Sequence, residues 1–163
     1  MQVRPVNPDE YGVAGSLIVS AYEALPGGHL DGGYAELLRD VARRALEAEV
    51  LVATGPGVIG CVTFVPDATS PWAEGLRPGE SGIRMLAVHP VAQGRGAGKA
   101  LVAACVDRAR RLGRNGVFLS STPWMQVAHR LYEKAGFVRV PERDWVPVPG
   151  VTLLAFHLDL EGD

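Results

Sequence analysis

The sequence predicts an α/β protein. It is read as one domain over 1–163, with a mixed, mostly antiparallel sheet, a central pair of parallel strands and helices on both faces. Three observations carry this. The chain has 163 residues, which suits one domain with a sizeable core better than two small ones. Short β-branched runs alternate with stretches of helical periodicity along its whole length. In the middle, a strand at 82–89, a helix at 95–112 and a strand at 116–121 follow one another. A right-handed crossover of that kind makes the two strands parallel.

The elements follow in order. Val3 and Val6 alternate with polar residues and mark a short first strand. Asn7 or Pro8 then opens a helix with Val13, Leu17, Ile18 and Tyr22 on one face. "LPGGHLDGG" is a loop. Residues 34–49 read as one helix, with Leu37, Leu38, Val41 and Leu46 at helical spacing. In 49–66, two β-branched runs flank "TGPG" and predict a hairpin. Residues 67–81 are a polar, Pro- and Gly-bearing loop, and "IRMLAVHP" is a strand ended by Pro90. Leu101, Val102, Cys105, Val106, Ala109 and Leu112 form the stripe of the next helix, with Gly113 as its C-cap. "GVFLSS" is a strand. Thr122 and Pro123 suit the start of a helix running to Ala135 and stopped by Gly136. "FVRV" is a strand, 141–150 a loop, and "VTLLAFHLDL" the last strand.

Composition excludes several classes. A net charge of −2 argues against a nucleic-acid backbone as main partner, since that demands a basic surplus. The two cysteines, Cys61 and Cys105, lie in apolar runs and read as buried, reduced thiols. No His or Cys spacing matches a metal site. The N-terminus lacks the apolar core of a signal peptide, and no stretch is long enough to span a membrane. A cytoplasmic location is the expectation.

The densest signal is "HPVAQGRGAGKALVAAC", from His89 to Cys105. Glycines followed at once by a helix make an anion site: the first helical N–H groups have no partner, and the dipole favours negative charge. The loop fails as a Walker A motif, because Ala100 follows Lys99 and Gln93 stands five before Gly98. It fails as a dinucleotide fingerprint, because Lys99 occupies the third glycine's place. Instead, Gln93, two residues, Gly96, one residue and Gly98 after "LAV" resembles the pyrophosphate loop of the GNAT superfamily of N-acetyltransferases. Downstream, "AHRLYEKAGFVRV" (Ala128–Val140) resembles a second segment of the same family. The predicted element order agrees with a GNAT-like fold over nearly the whole chain.

The resemblance implies transfer of an acetyl group from acetyl-CoA to an amine through a tetrahedral intermediate. It implies that backbone amides of Gln93, Gly94, Arg95, Gly96, Ala97, Gly98 and Lys99 hold the pyrophosphate, with charge added by Arg95 and Lys99. Leu86, Ala87 and Val88 would pair with the pantetheine arm, and an N–H near Ala87 or Val88 would polarise the thioester carbonyl. Tyr132 matches the general acid that protonates the leaving thiolate. By spacing alone, Tyr132 reads as a packed aromatic on a helix stripe; the match to the family segment is what implies catalysis. The family also implies that homodimers are common.

Two positions depart from the family. The expected catalytic glutamate falls on Gly82. Glu80, two residues earlier, shares a strand face with positions 82 and 84, so Glu80 or Arg84 can look into the same cleft. Glu80 reads equally as a solvated loop residue; His29 and His129 are weaker candidates. Met125 stands where many relatives carry an asparagine. Ser121 and Thr122 read as a helix cap or a pantetheine contact. Arg108, Arg110, Arg111 and Arg114 read as a solvated helix end. Trp72, Trp145 and Tyr34 fall in or beside loops that would surround the acceptor, and they read equally as substrate contacts and as core seals. The missing glutamate also leaves a second function open, an acetyl-CoA-binding sensor without catalysis.

Overall fold

The computed structural model describes residues 1–25 and 32–161. His29 lies outside them. The described residues form β1 (Gln2–Pro5), α1 (Tyr11–Glu23), α2 (Gly32–Arg39), α3 (Val41–Glu47), β2 (Glu49–Thr54), β3 (Val58–Val65), β4 (Glu80–Val88), α4 (Ala97–Arg111), β5 (Gly116–Ser121), α5 (Gln126–Lys134), β6 (Val138–Arg139), β7 (Trp145–Val148) and β8 (Val151–Asp159). The sheet order is β1-β2-β3-β4-β5-β8-β6, with β7 paired to β8. Every pairing is antiparallel except β4 with β5. This is the fold that the sequence predicts: a mixed, mostly antiparallel sheet with one parallel pair.

Strand periodicity sorts side chains to two cores. Leu51, Ala53, Val62 and Phe64 face α4, where Leu101, Val102, Cys105 and Ala109 are buried. Val50, Val52, Cys61 and Val65 face α1, against Ala14, Leu17 and Ile18. The two cysteines therefore lie in different cores, on opposite sides of the sheet. Both are free and buried, and burial pushes the Cys61 thiol up to about 12.

Four local expectations change. The helix expected over 34–49 is two helices. Asp40 breaks it, and its Oδ1 accepts from the N–H of Arg43 at 3.2 Å, capping α3. The break resets the helical phase, so Leu46 is exposed; Val13 also lies outside the buried face of α1. Strand β4 starts at Glu80, inside the expected loop. Helix α5 starts at Gln126 with Met125 at its N-cap, so Thr122 and Pro123 form a turn before it. The loop expected at 141–150 contains a short 3-10 turn (Pro141–Arg143) and β7, which forms a hairpin with β8. Pro147 is tolerated there because β7 is an edge strand with a single neighbour.

The glycine stops behave as expected, and one of them carries the site. Gly136 has φ +99°; its N–H donates to Glu133 O and that of Phe137 to Tyr132 O, each at 3.0 Å. This closing turn folds Phe137 back onto Tyr132, with ring centroids 6.0 Å apart. "LYEKAGF" thus fixes Tyr132 through its own carbonyl and ring.

Candidate functional site

The site begins where β4 and β5 stop pairing. Their register is Glu80↔Gly116, Ser81↔Val117 and Gly82↔Phe118, and it ends there. Beyond Gly82 the edge of β4 that faced β5 has no strand partner. On the other edge, β4 carries one extra residue against β3: Cys61 opposes Ala87, but Thr63 opposes Arg84. Met85 sits at φ +54°, the left-handed region that a side chain rarely adopts. The bulge bends β4 away, and Arg84 and Met85 come to one side of the sheet, the side of Trp72.

Strand β4 runs from this opening into a 3-10 turn (Pro90–Ala92), where His89 Nδ1 accepts from the N–H of Val91 at 3.2 Å. Gly94 and Gly96 follow with φ +85° and +84°, and nothing lies within 4 Å of where a Cβ would stand. Their N–H groups, like that of Arg95, take part in none of the described hydrogen bonds. The first bond of α4 is Ala100 N–H to Gly96 O at 3.0 Å, so the N–H groups of Ala97, Gly98 and Lys99 remain open as well. A positive helix end, an open row of amides and an unpaired strand edge are therefore continuous. They fit a diphosphate followed by an extended, amide-bearing chain. Gly98 has a separate reason: a Cβ there would come to 3.0 Å from Leu131 of α5.

The other side of the opening is a cavity of about 540 Å³. Its wall includes Gly82 to Met85 of β4 and Phe118 to Ser121 of β5, with Thr122 after them. The three aromatics that the sequence placed near it, Trp72, Trp145 and Tyr34, all line it. Tyr22, Phe118 and Trp124 join them, unannounced by any motif. Helical spacing places Tyr22 on the same face of α1 as Leu17 and Ile18, and only the hairpin of β7 and β8 brings Trp145 across.

Tyr132, in α5, is buried against Phe137 and Phe156 and is not among the cavity-lining residues. Burial pushes its phenol up, so it keeps its proton at neutral pH. One turn earlier, His129 Nε2 is 3.1 Å from Ser121 Oγ in the cavity wall. Burial holds this imidazole below its ordinary value, so it is neutral at pH 7.

Glu80 is placed differently from the expectation. Its carboxylate accepts from Arg143 Nη1 and Nη2, both at 2.8 Å, and from Arg77 N–H at 2.9 Å, and His157 Nε2 lies 3.1 Å away. It is not among the cavity-lining residues. Burial raises its pKa, but the Arg143 bonds and the Arg77 N–H outweigh that and leave the carboxyl below its usual range. Gly116 keeps a side chain out of the space that His157 occupies. Glu80 thus ties the paired ends of β4 and β5 to β8 and to the 141–143 turn. The arginine cluster lies at the far end of α4, where Arg108, Arg111 and Arg114 pair with Glu49, Asp107 and Asp67. Among the described residues no group of His, Cys, Asp or Glu is placed to hold a metal ion, and no helix is long and apolar enough to cross a membrane.

A profile of the acetyltransferase (GNAT) family matches residues 17–137, and the chain belongs to that family. Its fold is similar to that of yncA, a putative acetyltransferase from Salmonella typhimurium solved with its cofactor acetyl-CoA (TM-score 0.67, 20% identity, 100% of this chain and 95% of that one). It is similar to a GNAT-family acetyltransferase from Staphylococcus aureus Mu50 (TM-score 0.78, 14% identity, 98% and 99%). It is also similar to paia N-acetyltransferase from Thermoplasma acidophilum in complex with coenzyme A (TM-score 0.72, 14% identity, 97% and 98%). At these identities the likeness is one of fold. No curated protein matches the chain significantly.

Two outcomes follow from this geometry. Glu80→Gln leaves Arg143 buried without its full partner and is expected to cost about 3 kcal/mol of stability at neutral pH. Because the Glu80 carboxyl titrates below its unfolded value, its contribution is present above the ordinary carboxylate range and is lost as pH falls through the folded value. The stability gap between wild type and variant, from urea unfolding, should therefore narrow in acid. Gly96→Ala forces a side chain into the left-handed region without any clash. It is expected to weaken acetyl-CoA binding roughly tenfold, read by titration calorimetry, while the fold persists.

Proposed function

We propose that the protein transfers the acetyl group of acetyl-CoA to a primary amine by direct attack of the amine. The observation that carries this reading is the end of β4–β5 pairing at Gly82, with the open amides of the glycine loop at the far end of the same strand. In this reading, the backbone from Gln93 to Lys99 binds the diphosphate. The free edge at Leu86, Ala87 and Val88 pairs with the pantetheine amides and aims an N–H at the carbonyl oxygen as negative charge develops there.

Tyr132 is the donor to the departing sulfur. Its phenol stays protonated, and in an apolar site a hydrogen bond to a forming thiolate is worth more than it is in water. The amine must also lose a proton, since an alkylammonium titrates at roughly 10. Glu80 is a poor acceptor for it, because N–H groups already occupy its carboxylate. The side chain better placed is His129, neutral and hydrogen-bonded to Ser121 in the cavity wall, taking the proton through that hydroxyl. The cavity's aromatic lining gives the acceptor its place.

The direct test is thiol release from acetyl-CoA with a panel of primary amines. Acetyl-CoA binding without thiol release from any of them would support a sensor instead; no binding at all would remove both readings. Tyr132→Phe is expected to lower kcat by about 100-fold with the acetyl-CoA Kd nearly unchanged; wild-type turnover would end its assignment. His129→Gln should lower kcat by at least roughly tenfold and erase the wild-type acid limb below about pH 6.5. A limb that survives the substitution would assign the proton to another group.

A further inference from the structure

We propose that the acceptor is a primary amine whose apolar or aromatic body carries a carboxylate, and that Arg84 binds that carboxylate. The inference rests on the acetyl-transfer reading and names the substrate class of the same cavity.

The cavity is lined by six aromatic rings and, among the described residues, by only two charged side chains, Arg84 and Glu74. Arg84 belongs to β4, immediately before the bulge at Met85. Its guanidinium lies 5.3 Å from the centre of the Trp72 ring, and Nη1 donates to Trp72 O at 3.3 Å. That uses one of five N–H donors. No described carboxylate comes within ion-pair distance of it. A second guanidinium backs the same ring: Arg44 is fully buried, 6.0 Å from the Trp72 centre, and donates to Leu37 O and Leu38 O. It closes the last carbonyls of α2 and also lacks a carboxylate at ion-pair distance among the described residues. Arg84 and Arg44 thus bring two guanidinium groups to the Trp72 end of the cavity, and Glu74 is in the same lining.

A half-buried arginine on an aromatic face, with donors to spare, is suited to a planar carboxylate. An acceptor that brings only ammonium groups, such as a polyamine, leaves these donors unused. The rings give the apolar body its contact area. In an α-amino acid the amine and the carboxylate share one carbon, so a carboxylate on Arg84 brings the amine into the same cavity as Gly82 to Met85 of β4.

All three tryptophans of the chain, Trp72, Trp124 and Trp145, line this cavity, so intrinsic fluorescence excited at the indoles reports on it selectively. The test titrates N-acetyl-L-phenylalanine and N-acetylphenethylamine, which differ by the carboxylate, and compares initial rates with L-phenylalanine and phenethylamine. Wild type should bind the carboxylate form at least about tenfold more tightly and favour L-phenylalanine by a similar factor in kcat/KM. Arg84→Gln should abolish the preference while acetyl-CoA still binds; Arg84→Lys should retain part of it. Equal affinity for the pair, binding of neither, or a preference that survives Arg84→Gln would overturn the proposal. Thiol release with phenethylamine as fast as with L-phenylalanine would overturn this substrate class alone. Failure to bind acetyl-CoA would instead remove the underlying acetyl-transfer reading.

Discussion

Three residue pairs hold β4 beside β5, and then the pairing stops. Almost everything else about the site depends on that short contact being firm and on its ending where it does. A parallel sheet normally continues its hydrogen bonds to the ends of its strands, since an unpaired buried edge is costly. Here β4 is turned aside by an extra residue at Met85, and the freed edge is left without a strand partner. The strain of a methionine in the left-handed region is stored where the sheet must open.

The closed end must resist the opening. Glu80 does this from the first residue of β4, gathering Arg143, Arg77 and His157 from three other segments. The Arg143 guanidinium also lies 4.0 Å from the centre of the Phe118 ring, at the last paired position of β5. The hinge of the split is thus clamped by a buried ion pair and a stacked cation. A carboxylate used in this way is held below its usual titration range, and its bonds serve the geometry of the cleft.

Much of this was legible in the chain. The glycine spacing after "LAV" and the "LYEKAGF" segment carry the family resemblance by themselves, because each encodes a local backbone event. Gly94 and Gly96 adopt positive φ where only glycine is at ease, and Gly136 closes α5 so that Phe137 meets Tyr132. Local events of this kind need no distant partner. Boundaries that hang on a single capping residue were harder: Asp40 divides a helix whose apolar spacing read as continuous, and Met125 rather than Thr122 begins α5.

The sequence by itself determined most of the element order, though not the break at Asp40 or strand β7, together with the parallel crossover and the glycine loop before α4, since short-range periodicity and turn chemistry specify each of them. Only the tertiary structure decided where the sheet parts, what Glu80 faces, and which side chains meet around the cavity. Those depend on register: a single added residue in β4 changes which neighbour each later residue opposes. The meeting of Trp145 from the last hairpin with Trp72 and Arg84 from segments some 60–70 residues earlier is a long-range result of that register, and no local pattern in the chain records it.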